Sequence, residues 1–148
     1  MNHQPILYPV GYHVSVAQTD ESHAVAQARD HALTLNIKKG DGAAGFNAAE
    51  TLLAALGACI LTNVNSLAQK MRLQVTNARI EFDAIRRDEP AGLIQITYRL
   101  ILESSEPEAK LQELHDLSIK WGTVTNTLSG GLTPQGILII EPIPEEEG

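Results

Sequence analysis

A chain of 148 residues and 16.0 kDa, with 43% hydrophobic and 20% charged residues, has the size and composition of one globular domain and lies far from disordered or fibrous sequences. Its formal net charge of -7, with no basic run longer than the pairs Lys38-Lys39 and Arg86-Arg87, argues against sequence-independent binding to nucleic acid or to anionic membranes. The longest uncharged apolar run, Leu52 to Leu61, is roughly half of what a bilayer-spanning helix requires, so no membrane partner is expected. Met1 to Tyr12 lacks the basic and apolar regions of a secretory signal, which points to the cytoplasm. The single cysteine, Cys59, excludes an intrachain disulfide and the paired-cysteine zinc frameworks.

Tyr12 to Val16 and Ala24 to Ala28 read as two strands of an antiparallel meander, joined by the third strand, Ala32 to Ile37. In the third strand Leu33, Leu35 and Ile37 alternate with Thr34 and Asn36, as on a sheet with one buried face. Lys38 to Gly45, with three glycines, reads as a mobile surface loop. The strongest helix signal follows, over residues 48 to 71. Asn47 and Glu50 have the spacing of a capping box, and Lys70 and Arg72 complement the dipole at the far end. Leu52 to Leu61 is apolar or small at nearly every position, which suits a helix enclosed on several sides. So short a chain offers too little surface for that, and a second copy would supply it.

Ala78, Ile80, Phe82 and Ala84 alternate with Arg79, Glu81 and Asp83. After the turn Asp88 to Gly92, Ile94, Ile96, Tyr98, Leu100 and Leu102 alternate likewise, which predicts a long hairpin with one apolar face. Ser105 and Glu108 have capping-box spacing around Pro107, and Leu111, Leu114, Leu117 and Trp121 recur at helical spacing, predicting a helix over 106 to 121. Thr123 to Gly131 reads as a short helix or turn, Gly136 to Ile140 as a last strand, and residues 141 to 148 as an acidic, frayed tail. No repeat or linker divides this plan, so residues 1 to 148 read as one domain.

Chemistry-bearing residues are few. The histidines at 3, 13, 23, 31 and 115 form no recognised ligand pattern, and convergence of His13, His23 and His31 from adjacent strands is weaker than their reading as ordinary strand-edge side chains. Neither metal nor cofactor is expected. No nucleophile elbow, phosphate loop or dinucleotide fingerprint occurs. Cys59 remains. A lone cysteine on an apolar helix is commonly a small buried hydrophobe; to be reactive it needs a nearby cation, because it lies beyond the reach of the dipole at the helix start.

The run Gly45 to Cys59, with Leu52-Leu-Ala-Ala-Leu-Gly-Ala-Cys59 at its heart, followed by Thr62, by Lys70-Met-Arg-Leu73 and by Val124-Thr-Asn-Thr-Leu128, resembles the OsmC/Ohr family of thiol peroxidases. The resemblance covers residues 29 to 140. It implies an α+β fold in which two chains intertwine as a homodimer, with antiparallel sheets, two main helices and the cysteine-bearing helix at the centre. It further implies that Cys59 stands at the peroxidatic position, whose thiolate attacks an organic hydroperoxide. Arg29 is the best match to the family's arginine, with a surface arginine as the alternative. Glu50 stands nine residues before the cysteine, where some members have their glutamate; the best-known active members have theirs at the position of Ala49. Rotation of about 100° per residue separates those two faces, and reciprocal capping with Asn47 is the competing role for Glu50.

The family's second cysteine falls on Gly122, and threonine at 123 replaces its proline. Two readings follow. In the first, Cys59 is the only thiol of a hydroperoxide reductase, and an external thiol reduces its sulfenic acid. In the second, the protein is a non-catalytic dimer holding a small hydrophobic ligand.

Overall fold

The computed structural model describes residues 11–130, and the predicted strand at 136 to 140 and the acidic tail lie outside them. The architecture is α+β, with two antiparallel sheets and three α-helices. The chain forms two compact units whose boundary falls inside the longest helix, between Gly57 and Ala58.

The amino-terminal unit is a three-stranded meander of β1 (Ser15–Gln18), β2 (His23–Ala28) and β3 (His31–Asn36). β1 starts three residues later than the alternation at Tyr12 suggests. Its pairing explains the shift: Ser15 faces Gln27, so β2 has nearly run out into its turn before Tyr12 could find a partner. The turn after β1 is held by Asp20, whose carboxylate accepts from the backbone N–H groups of Ser22 and His23 and from the His23 ring. The Ser22 backbone bond, aided by the His23 ring, holds the Asp20 carboxyl below the usual carboxylate range. His23 pairs with Asn36 at one end of the β2–β3 ladder and His31 with Ala28 at the other, which removes the convergence of strand histidines considered above.

The segment after β3 is more ordered than a glycine-rich loop suggests. Asn36, buried at its head, donates to the carbonyl of Asp41 and accepts from the N–H of Lys38, and Asp41 caps a 3-10 turn at Gly42–Ala44. Gly45, at φ +121°, then turns the chain into α1 (Ala48–Lys70). The capping box is present. The Glu50 side chain accepts from Asn47 N–H at 3.0 Å, and the Asn47 side chain accepts from Glu50 N–H at 2.9 Å. A cap of this kind contributes about 1 kcal/mol.

Along α1 the buried apolar side chains are Leu56, Ile60, Val64 and Ala68, one every four residues and therefore on one stripe. Leu52, Ala54, Ala55 and Ala58 are exposed, so a helix that is apolar nearly all round is covered on one side only. α1 is also long and apolar enough to cross a bilayer. Against that role, Asn63 donates from its side chain to the Ser118 carbonyl at 3.0 Å, and the buried stripe is a soluble-core feature.

The carboxyl-terminal unit holds the rest of α1, the hairpin of β4 (Thr76–Asp88) and β5 (Ala91–Glu103), α2 (Glu108–Lys120) and α3 (Thr123–Ser129). Phe82 faces Tyr98 and Ile80 faces Leu100 across the ladder, and on β4 the alternation follows the sequence: Ala78, Ile80, Phe82 and Ala84 are half-buried, the charged residues between them exposed. Glu81 and Arg99, directly opposite, form an ion pair at 2.5 Å on the wet face. α2 begins later than predicted, and the Ser105–Glu108 capping box does not form: Pro107 is the cap and supplies no side-chain hydrogen bond. Ser104 does the local work instead, accepting from Glu106 N–H and donating to the Gln74 carbonyl. Leu114 and Ser118, one turn apart on α2, are both completely buried.

Candidate functional site around Cys59

Cys59 lies on α1, half-buried and with a free thiol. What gives it a setting is the junction of α2 and α3. α2 ends at Lys120, and Gly122 follows in extended conformation as the cap of α3. Gly122 is buried, and a Cβ placed on it would lie 3.2 Å from Cys59 Sγ and 2.6 Å from Thr125 Oγ1. The backbone thus comes against the sulfur at the position to which the family resemblance assigns a second cysteine. Only the hydrogens of glycine fit at this point, because the Thr125 side chain and the sulfur already crowd the place of a Cβ. Thr125 Oγ1 is sealed from solvent and has no hydrogen-bond partner among the described residues.

The other two predicted site residues belong to the amino-terminal unit. Glu50 is engaged in the capping box. Arg29 opens the two-residue turn between β2 and β3 with φ +57°, a left-handed conformation that costs a non-glycine residue on the order of 1 kcal/mol. Its side chain is exposed and borders a cavity of about 460 Å³ lined chiefly by Val14, Ala26, Ala28 and Leu33. Among the described residues no carboxylate is paired with Arg29, and no group of three or more His, Cys, Asp or Glu side chains is gathered as for a metal ion.

A second polar cluster escaped the sequence reading. Tyr98 on β5 is hydrogen-bonded to His115 Nε2 at 2.7 Å and stacks on its ring, while His115 Nδ1 meets Asp116 at 2.8 Å. Burial, reinforced by the Asp116 charge, raises the Tyr98 phenol above its ordinary value; the His115 hydrogen bond, aided by Gln112, lowers the Asp116 carboxyl. The raised phenol stays protonated at neutral pH, so Tyr98 is a hydrogen-bonding group and not an activated nucleophile. Tyr98 and His115 are far apart in the sequence, and no local spacing announces them.

An α+β fold whose central feature is a cysteine-bearing helix met by a glycine at a helix junction defines the class, and comparison with known proteins identifies it. The family model described as OsmC-like protein matches residues 39–135, and the chain belongs to that family. It is 25% identical over 123 residues to the hydroperoxide reductase of Mycoplasma genitalium, an alignment covering 80% of this chain and 87% of the relative. The crystal structure of an OsmC-like protein from Mycoplasma pneumoniae superposes with a TM-score of 0.74 at 24% identity, over 81% of this chain and 88% of that one. The organic hydroperoxide resistance protein OhrB of Bacillus subtilis superposes with a TM-score of 0.57 at 16% identity, over 81% and 91% of the two chains. The α+β, OsmC-like fold of the single chain expected from the sequence is thereby established.

Proposed function

We propose that this protein is a thiol-dependent peroxidase that reduces organic hydroperoxides through Cys59, with an external thiol as reductant. The observation that carries the reading is a free, half-buried cysteine on α1 of an OsmC-family fold, with the Gly122 backbone brought against its sulfur. The name hydroperoxide reductase carried by the Mycoplasma genitalium relative points the same way. In the reaction the thiolate attacks the terminal peroxide oxygen, the S–O bond forms as the O–O bond breaks, and the alcohol leaves with the hydroperoxide proton. Two external thiols then return the sulfenic acid to the thiol, releasing water and their own disulfide. Arg29 is the cation assigned to stabilise the thiolate and the departing oxygen, and an arginine kept in a strained turn position where asparagine or glycine would fit more easily supports its selection for function. Glu50 is the acid assigned to orient that arginine, in addition to its capping role.

The working unit is a homodimer of single-domain chains in the cytoplasm. Val16 and Leu33, on one face of the amino-terminal sheet, are 60% and 65% exposed, and the outer side of α1 is equally uncovered. So much unpartnered apolar surface is unusual for a soluble monomer. Light scattering is expected to give the mass of two chains; a monomer at micromolar concentration would remove the dimer.

The test of function is consumption of cumene hydroperoxide with a dithiol reductant. The native protein should turn over, and Cys59→Ser should fall to the uncatalysed background; equal activity in the two would end the peroxidase reading. The apolar cavity beside Arg29 favours a second reading, a dimer that holds a small hydrophobic ligand without catalysis. Alkylation of Cys59 across pH separates them: rapid reaction at neutral pH marks a catalytic thiol, and reaction only in alkali marks an inert one.

A further inference from the structure

The geometry points to Tyr98 as a one-electron oxidation site, at which the phenol gives its electron to an organic oxygen radical while its proton passes to His115. Tyr98 Oη stands 2.7 Å from His115 Nε2, the two ring centres lie 5.9 Å apart, and His115 Nδ1 stands 2.8 Å from an Asp116 carboxylate oxygen. An ionised carboxylate accepts and cannot donate, so the ring proton sits on Nδ1. Nε2 of the neutral imidazole is then the acceptor, and the Tyr98 hydroxyl donates to it. The phenolic proton has only the length of one hydrogen bond to travel. Tyr98 is 37% exposed, which leaves the ring open to an oxidant from solution.

The arrangement removes both of the difficult routes to a phenoxyl radical. Losing the electron first leaves a strongly acidic phenol cation, and losing the proton first requires a phenolate, which burial and the Asp116 charge disfavour at this position. A base already hydrogen-bonded to the hydroxyl lets electron and proton leave together. The Asp116 carboxylate then faces the imidazolium that forms. The other described aromatic side chains lack these features. Tyr12 is exposed and has no base hydrogen-bonded to its hydroxyl among the described residues, and Phe82, 6.3 Å from Tyr98, has no proton to give. Trp121 carries the Lys120 ammonium 5.4 Å from its ring centre, and that positive charge opposes loss of an electron.

The oxidant is an alkoxyl radical, the species released when an organic hydroperoxide accepts one electron and its O–O bond breaks. It takes the electron from Tyr98, the phenolic proton moves to His115 Nε2, and the resulting alkoxide takes a proton from water. The products are the tyrosyl radical, the imidazolium, an alcohol and hydroxide. An external thiolate restores the site: it gives one electron to the phenoxyl oxygen, Nε2 returns the proton, and a thiyl radical departs. None of these steps uses Cys59. The site removes the radicals that one-electron cleavage makes from hydroperoxides, and so goes beyond the two-electron reduction proposed above.

The test uses the full-length protein in mildly alkaline buffer with a photogenerated ruthenium(III) tris-bipyridine complex as one-electron oxidant, and follows the tyrosyl absorbance after the flash. The native protein should show a fast phase that Tyr98→Phe abolishes. His115→Gln keeps an oxygen able to accept from Tyr98 but offers no base, and should slow that phase by about tenfold or more. Asp116→Asn alters an exposed side chain without disturbing the packing, and should slow it by a smaller factor. A fast phase that survives in Tyr98→Phe, or equal rates in native protein and His115→Gln, overturns the inference. Cumene hydroperoxide mixed with a ferrous chelate then supplies the alkoxyl radical itself: freeze-quenched native protein should give a tyrosyl spin-resonance signal missing from Tyr98→Phe, and equal signals in the two would overturn the assignment to Tyr98. Both readouts are free of catalytic turnover at Cys59, so failure of the peroxidase assay leaves them standing, and their failure leaves the peroxidase reading intact.

Discussion

Leu114→Ala should cost about 3 kcal/mol of stability, a large share of the roughly 5–15 kcal/mol that holds a domain of this size. Leu114 is the most deeply buried large side chain of α2, at 0% exposure, and α2 has little else to fasten it: Ser118 is its other fully buried residue, and Leu111 and Leu117 are only half-covered. Truncation removes transfer energy and leaves a void that the surrounding side chains can only partly fill. Ser118→Ala, one turn along the same face, is the contrast. Its Oγ is buried without a partner among the described residues, so loss of the hydroxyl should be neutral or mildly stabilising. Urea unfolding of the variants at equal protein concentration reads both, since a dimer's apparent stability depends on concentration. A loss below about 1 kcal/mol for Leu114→Ala would mean that α2 is not anchored by this residue.

The features legible in the sequence were those written in short-range spacing. Asn47 and Glu50 announce the start of α1 because a capping box joins residues three apart. Ile80, Phe82 and Ala84 announce β4 because a half-buried strand has a period of two. The same shorthand failed at Ser105, where Pro107 took the cap, and at Tyr12, where the limit was set by the length of the partner strand. Tertiary approaches had no local signature. Nothing near Tyr98 indicates that it will stack on His115, and nothing near Thr125 indicates that its hydroxyl will be buried beside a sulfur. The position of Gly122 could be read only through likeness to a family pattern, and the structure gives it a physical content as a backbone close against Cys59 and Thr125.

Gly122→Cys is expected to form a disulfide with Cys59. The Cβ position lies 3.2 Å from Cys59 Sγ, close to the separation of about 3 Å that an S–S bond of about 2.05 Å imposes between one sulfur and the far Cβ. Closing a loop of about 60 residues is worth about 4 kcal/mol in the chain-entropy account. Thr125 stands in the way: its Oγ1 would be 2.6 Å and its own Cβ 3.0 Å from the new Cβ, and crowding of this kind costs about 1–3 kcal/mol. The reduced variant should therefore be less stable than the native protein by about that amount, and the oxidised variant more stable than its reduced form by several kcal/mol. Adding Thr125→Ala should recover much of the reduced form's deficit without affecting bridge formation. Thiol counting after treatment with diamide, together with urea midpoints with and without reductant, measures each step. If both thiols stay free after oxidation, α3 does not hold Gly122 against the sulfur in solution.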